Sequence, residues 1–266
     1  MEEIVANAST LRIAAFVILF AAIAAWEAVV PRRTRRFSRV VRWPQNLALP
    51  AINNLLLVLV APGAEVAIAI AAQMRGWGLL PALGLPAWAQ AVAAIVLLDL
   101  AIYGQHVLLH AAPVLWRIHR VHHADTDFDV TTGVRFHPLE YAISTAYKCA
   151  VVAALGASPL AVIAFEILLN ASSMFEHADA RLPAPFDRRL RWILVTPDMH
   201  RVHHSSMVRE TNSNYGFSIA WWDRLFGTYR AQPAAGHEAM EIGLEIFRGE
   251  DEVRLERLLA QPFRSA

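Results

Sequence analysis

What most constrains the fold is a series of long apolar runs. Leu11 to Val30 is apolar except for Arg12 and Glu27 near its ends, about the 20 residues a helix needs to cross a bilayer. Leu47 to Met74 is a second run, interrupted by Pro50, Asn53, Asn54 and Pro62. Ala87 to Ala112 is a third. Tyr141 to Leu155 and Ser158 to Ser173 are shorter, and Gly156-Ala157-Ser158-Pro159 joins them. They read as a helical hairpin that dips into the membrane and returns. Hydrophobic residues make up 56% of the chain, above the roughly 45–50% of a soluble domain. The mean hydropathy is +0.36. These runs predict an all-α fold, an integral membrane bundle of about four transmembrane helices or helical hairpins. The chain starts with acidic Glu2 and Glu3, whereas a signal peptide starts basic, so the first run reads as an uncleaved membrane helix of a multi-pass protein.

Charge sets the orientation. Arg32, Arg33, Arg35, Arg36, Arg39 and Arg42 follow the first run. By the positive-inside rule they place this loop in the cytoplasm and the N-terminus outside. The Gly- and Pro-rich loop from Arg75 to Pro86 has one positive charge, as a non-cytoplasmic connector does. Counting onward puts every histidine-rich segment and the C-terminus on the cytoplasmic face, as a histidine-rich cap. A membrane neighbour accounts for the arginines, so no nucleic-acid partner is expected. The expected division is 1–90 for N-terminal membrane helices and the arginine loop, 91–235 for a catalytic unit, and 236–266 for a soluble tail with an amphipathic stretch from Glu252 to Leu259.

The eleven histidines are the second constraint. His119-Arg120-Val121-His122-His123 recurs letter for letter as His200-Arg201-Val202-His203-His204. Positions i, i+3 and i+4 share one helix face, so each copy is expected to project three imidazoles the same way. His106 and His110 have the same i, i+4 relation, in the half of the third run that also holds Asp99. Ionisable groups inside a membrane helix are costly and are functional candidates. His177 follows the hairpin. His137 stands in a Pro-containing turn, as a ligand or as a hydrogen bond that holds the loop. His237, in a polar tail, reads as solvated.

Neutral imidazole is the commonest side-chain metal ligand. Eight to ten such groups exceed the four ligands of zinc or the six of octahedral iron, so two metals are expected. Nearby acids must offset the charge and orient the rings. Asp99, Asp125, Asp127, Glu176, Asp179 and Asp198 are the candidates. The lone Cys149 excludes a disulfide framework, a cysteine-ligated zinc finger and an iron–sulfur cluster. Neither His-Glu-x-x-His nor Glu-x-x-His occurs, so the zinc-protease helix and the soluble ferritin-like carboxylate site are absent. An oxygen-accessible pair of redox metals in a membrane suits O2 activation. The alternatives are a histidine-rich membrane metal transporter, which needs polar groups strung through its spans, and a zinc-dependent membrane hydrolase, which works without oxygen.

The order His-x-x-x-His, His-x-x-His-His, His-x-x-His-His in membrane helices resembles the fatty acid hydroxylase / sterol desaturase superfamily. The resemblance runs from about His106 to Tyr229. It includes Arg135 to Glu140, Thr196-Pro197-Asp198-Met199-His200, Thr211-Asn212-Ser213-Asn214-Tyr215-Gly216 and Trp222-Asp223-Arg224-Leu225-Phe226-Gly227-Thr228-Tyr229. It implies a membrane-bound, non-haem di-iron oxidoreductase with O2 as co-substrate. Such an enzyme takes two electrons from a separate donor: a reductase, a ferredoxin or a small haem protein. It hydroxylates or desaturates a C–H bond of a membrane lipid, fatty acyl or sterol-like. Carried over by position, His106, His110, His119, His122, His123, His200, His203 and His204 are catalytic metal ligands, with His177 and His137 completing the set. Zinc can replace iron in purified protein. Asp125, Asp179, Asp198, Asn212 and Asn214 are expected to support the ligands. Trp221, Trp222, Phe226 and Tyr229 either line the lipid entrance or sit at the membrane interface. Some members place Glu after the first histidine pair and Asn before the second group, where this chain has Ala111 and Ile118. That departure sets it apart from ether-lipid cleaving members.

Overall fold

The computed structural model describes residues 7–265, which form helices and loops, with three isolated β-bridges and no strand among the described residues. Glu2 and Glu3 lie outside the described residues. In chain order the helices are α1 (Ala8–Val29), α2 (Arg39–Val60), α3 (Ala64–Arg75), the single turn α4 (Leu79–Ala82), α5 (Ala87–Ala111), α6 (Pro113–His123), α7 (Pro138–Leu155) and α8 (Pro159–Glu176). Six short helices follow: α9 (Ala184–Leu190), α10 (Pro197–His203), α11 (Val208–Thr211), α12 (Trp221–Leu225), α13 (Gly236–Ala239) and α14 (Leu255–Ala260).

Helices α1, α5 and α8 are each long and apolar enough to cross a membrane. A fourth candidate is α2 continued through α3 and α4, bent by 41°. The second apolar run is therefore no single straight span. Pro62 disfavours helix at Ala61 before it, and Gly63 takes the left-handed conformation at φ 61°, which glycine adopts without a steric penalty. Within the expected hairpin, α8 alone is long and apolar enough to span. Its partner α7 carries Glu140, Ser144, Thr145 and Lys148 and is less apolar.

The bundle core joins Leu98 and Ile102 of α5, Val152 and Leu155 of α7, and Val162 and Phe165 of α8. Two ion pairs cross it. Arg12 of α1 meets Glu166 of α8 at 2.5 Å, and Lys148 of α7 meets Glu65 of α3 at 2.8 Å. Pairs in such surroundings fix which helices meet more than they add stability. Outward-facing Ile13, Ile18, Val58, Leu59 and Trp88 are exposed, and so broad an apolar surface marks a lipid contact. The molecule is an integral membrane helical bundle with a cap.

The arginine run holds that cap together. Arg42 is fully buried and bonds Asp125 and Asp129 at 2.7 Å each, together with the Asp127 carbonyl. Arg39 pairs with Glu27 at 2.7 Å, and Arg33 donates to the carbonyls of His237 and Met240. Much of a run read only as a cytoplasmic, positive-inside loop is thus internal, which a count of charges along the chain does not register. The tail packs too. Leu258 is buried against Leu49 and Val121, and Arg120 donates to the carbonyls of Gln261 and Arg264. His237, expected to be solvated, is buried with Nε2 3.7 Å from Asp198.

Asp99 has a structural task. It accepts from the backbone N–H groups of Ser218 and Ile219 at 3.2 Å each, and from Trp222 Nε1 at 2.8 Å. It fastens the segment 212–229 across α5. Trp222 is buried as a result, while Trp221 and Phe226 stay exposed.

Candidate metal centre

The two copies of the histidine word sit on α6 and α10. Each helix starts with proline at its first position, where the missing N–H has no intrahelical partner to lose. Thr196 caps α10, its hydroxyl accepting from the Met199 N–H at 3.4 Å. The intervening arginines point away from the histidines. Arg201 pairs with Asp198, donates to the Ala178 carbonyl and covers the Phe128 ring. Arg120 lies over Phe247. These contacts turn the histidine face of each helix inward.

Among the described residues, nine histidines form two groups that could hold a metal ion. Group one is His106, His110, His119, His123 and His203. Group two is His122, His177, His200 and His204. Within each group one ligand atom per residue lies within 4.8 Å of all the others. Each word is therefore divided. The first word gives its i and i+4 histidines to group one and its i+3 to group two. The second word does the reverse. The three imidazoles of each word share a helix face, as expected, but fall into two different groups. The groups touch, since the rings of His123 and His204 stack with centroids 4.4 Å apart.

The spacing fits metal ions. In group two, His177 Nε2 lies 3.1 Å from Nε2 of His122 and of His204, and 3.2 Å from that of His200. With metal–nitrogen bonds of about 2.0–2.1 Å, such separations correspond to an angle at the ion of roughly 95–106°. In group one, His110 and His123 bring their Nε2 atoms to 3.1 Å. Nε2 of His106, His119 and His203 is buried without a hydrogen-bond partner, which is costly for a polar atom unless something binds it. Neither group includes a carboxylate.

The opposite ring nitrogens set the tautomers. In group one, Nδ1 of His106 donates to the Tyr215 carbonyl (2.8 Å), Nδ1 of His203 to the Ser213 carbonyl (2.7 Å), and Nδ1 of His110 to Asn212 Oδ1 (3.3 Å). His119 Nδ1 donates to Glu140 Oε1 at 2.7 Å. In group two only His177 is held comparably, by the Ser173 carbonyl at 2.7 Å. Nδ1 of His122, His200 and His204 has no partner. Burial, then the neighbouring imidazoles, push His122, His123, His200, His203 and His204 well below the usual imidazole range. Burial takes His177 down to about 3. All six are neutral at physiological pH and keep a lone pair for a metal.

His137 is not brought to either group. It caps α7, with Nδ1 accepting from the Leu139 N–H at 3.1 Å and Nε2 donating to the Leu259 carbonyl at 3.1 Å. Both its nitrogens are engaged, so it holds a loop rather than joining the ligands. The expected supporting residues divide as well. Asn212 touches His110, but Asn214 instead binds the carbonyls of Met199 and Arg230. Asp125 and Asp198 are taken up by arginines, and Asp179 lies nearest Arg35. The groups that reach the rings are Glu140, Asn212 and backbone carbonyls, the last of which no side-chain pattern reveals. Gly133 was missed as well. A Cβ there would lie 2.6 Å from the Ser173 carbonyl oxygen and 3.3 Å from His177 Nδ1.

Comparison with known proteins accords with this geometry. The model of the fatty acid hydroxylase family matches residues 91–228, just over half of the chain. The ornithine lipid hydroxylase of Rhizobium tropici is 31% identical over 176 residues, 65% of this chain and 50% of that protein. The alkylglycerol monooxygenase of Xenopus tropicalis is 31% identical over 132 residues, 49% of this chain and 28% of that protein. The cholesterol 25-hydroxylase of Rattus norvegicus is 26% identical over 141 residues, 52% of this chain and 46% of that protein. The chain thus spans half or less of the length of these relatives. Ala111 and Ile118 do not prevent the likeness to an alkylglycerol monooxygenase. No solved structure matches. With the family model covering all nine grouped histidines, the chain belongs to the fatty acid hydroxylase family.

Proposed function

We propose that this protein is a membrane-bound, O2-dependent lipid hydroxylase with two iron ions. One ion would be held by His106, His110, His119, His123 and His203, the other by His122, His177, His200 and His204. The observation that carries this reading is the division of nine histidines, eight of them buried, into two touching groups beside an apolar bundle. An iron pair, when bound, supplies redox chemistry with O2; it takes two electrons and two protons, leaves one oxygen in the product C–OH, and releases the other as water.

The chain's own residues do the rest. The Nδ1 hydrogen bonds fix each anchored ring so that Nε2 faces the centre. The packed cap keeps bulk water from it. His110, the one grouped histidine that is not fully buried, makes group one the side turned toward substrate. The outer surface of α1, α2 and α5 meets the bilayer, which makes an acyl or sterol-like membrane lipid the substrate class. Hydroxylation is favoured over desaturation by the relatives, whose names are all of hydroxylases and monooxygenases. Residues 91–235 form the catalytic unit in this reading, and electrons come from a separate reductase, ferredoxin or small haem protein. The arginine loop supports a cytoplasmic cap and C-terminus with the N-terminus outside.

Lipids from cells with the active protein, compared with its His203→Ala variant under labelled O2, test the proposal. A lipid heavier by one labelled oxygen is the expected product. A product lighter by two hydrogens makes it a desaturase, and conversion that persists without O2 overturns the reading in favour of a hydrolase.

A further inference from the structure

Glu176 ends α8, fully buried, and neither carboxylate oxygen has a hydrogen-bond partner. Its Oε1 lies 3.7 Å from His177 Nδ1, and its Oε2 3.8 Å from His200 Nδ1. The His177 nitrogen is already committed to the Ser173 carbonyl, but the His200 nitrogen is buried and free. A carboxylate removed from water needs a counter-charge or a donor. Four neutral imidazoles supply no charge, whereas a cation among their Nε2 atoms does. Group one has the matching arrangement already made: buried Glu140 accepts from His119 Nδ1 at 2.7 Å. Each group therefore has one buried acid facing the Nδ1 of one of its histidines, bonded to it in group one and 3.8 Å from it in group two, in a centre whose candidate ligand atoms are all imidazole nitrogens.

We propose that Glu140 and Glu176 are the paired anions of the centre, each positioning one histidine through its Nδ1–H (His119 and His200) and each offsetting the charge of one ion. The inference rests on the two-ion reading above. A hydrogen-bonded carboxylate makes the imidazole a stronger donor to metal and holds its plane, and loss of such partners costs 10–100-fold in metal affinity. The arrangement makes the two acids separable, since each stands behind a different ion.

The test is Co2+ titration of the metal-stripped, full-length protein in detergent, followed by its visible absorption and by chelator competition. Wild type should bind two Co2+ per chain. Glu176→Gln should keep one site at wild-type affinity and weaken the other roughly 10–100-fold. Glu140→Gln should weaken the complementary site. Glu→Asp keeps the charge, so Glu176→Asp should hold its second ion better than Glu176→Gln does. A role in packing alone predicts the opposite order, because Asp leaves a gap that Gln fills. Two sites of wild-type affinity in Glu176→Gln overturn the assignment of Glu176, and an Asp variant worse than the Gln variant overturns the charge role. Should neither Glu176 variant fold, the Glu140 pair decides between the same outcomes. A wild-type count below two overturns the two-ion reading itself.

Discussion

The two histidine groups are built from nearly the same parts but are anchored differently. Four of the five histidines of group one have Nδ1 bound to a named acceptor, and three of those acceptors lie in the strap at Asn212, Ser213 and Tyr215. In group two, only His177 is so held. Aligned acceptors fix the tautomer and plane of a ring before metal arrives. Group one is therefore preorganised, while three rings of group two have no acceptor at Nδ1 to fix them. A letter-for-letter repeat in the chain has not produced equivalent sites, because the repeat ends at the rings and their partners come from elsewhere.

The sharpest way to break this comparison is to remove one ligand from each side. His204→Ala leaves group two three histidines and should empty it, leaving about one ion per chain by elemental analysis; His203→Ala leaves group one four and should weaken its ion without touching group two, with lipid oxidation falling to background in both. Loss of both ions from either variant would show that the groups do not bind independently. Next in size is Gly133→Ala. The added methyl meets the Ser173 carbonyl at 2.6 Å, and overpacking of this kind costs about 1–3 kcal/mol. It displaces the one anchored ring of group two, so thermal stability should fall and the group-two ion should be lost first. An unchanged second ion would place the anchor elsewhere.

Acid should separate the groups more gently. Folded-state values of His122, His177, His200 and His204 are all below the free imidazole value of 6.5. Below pH 6.5 the unfolded chain therefore binds more protons than the folded one, so stability is complete above that pH and is lost as pH falls. For the metal-stripped protein the loss is at most about 1.4 kcal/mol per histidine per pH unit. In the loaded protein the less anchored group two should release its ion at the higher pH, read from metal counts after stepwise acidification. Release in a single step would erase the distinction. The smallest effect belongs to His137→Ala, which removes a helix cap worth about 1 kcal/mol. Its metal count should match wild type; a missing ion would return His137 to the ligands.

The helical bundle and all nine grouped histidines were legible in the sequence, because hydropathy sets spans and i, i+3, i+4 spacing sets faces. The division of each word was not. It depends on how α6 and α10 cross, which spacing within either helix does not encode. The break at Pro62-Gly63 was visible as residues, but a run read for hydropathy smooths over it. Two of the candidate acids are engaged elsewhere, which proximity in the chain does not register: Arg42 claims Asp125, and Arg201 and Arg32 claim Asp198. Backbone carbonyls such as those of Ser213 and Tyr215 leave no side-chain signature at all.

Dividing each word between the groups has a mechanical consequence. α6 and α10 are each bolted to both centres, so neither helix can turn about its axis without pulling ligands from both at once. The relative placement of the two groups is therefore set by the helices whichever group is filled, and in the proposed enzyme a path for substrate must open through parts that carry no ligand, such as the segment 212–229 over α5.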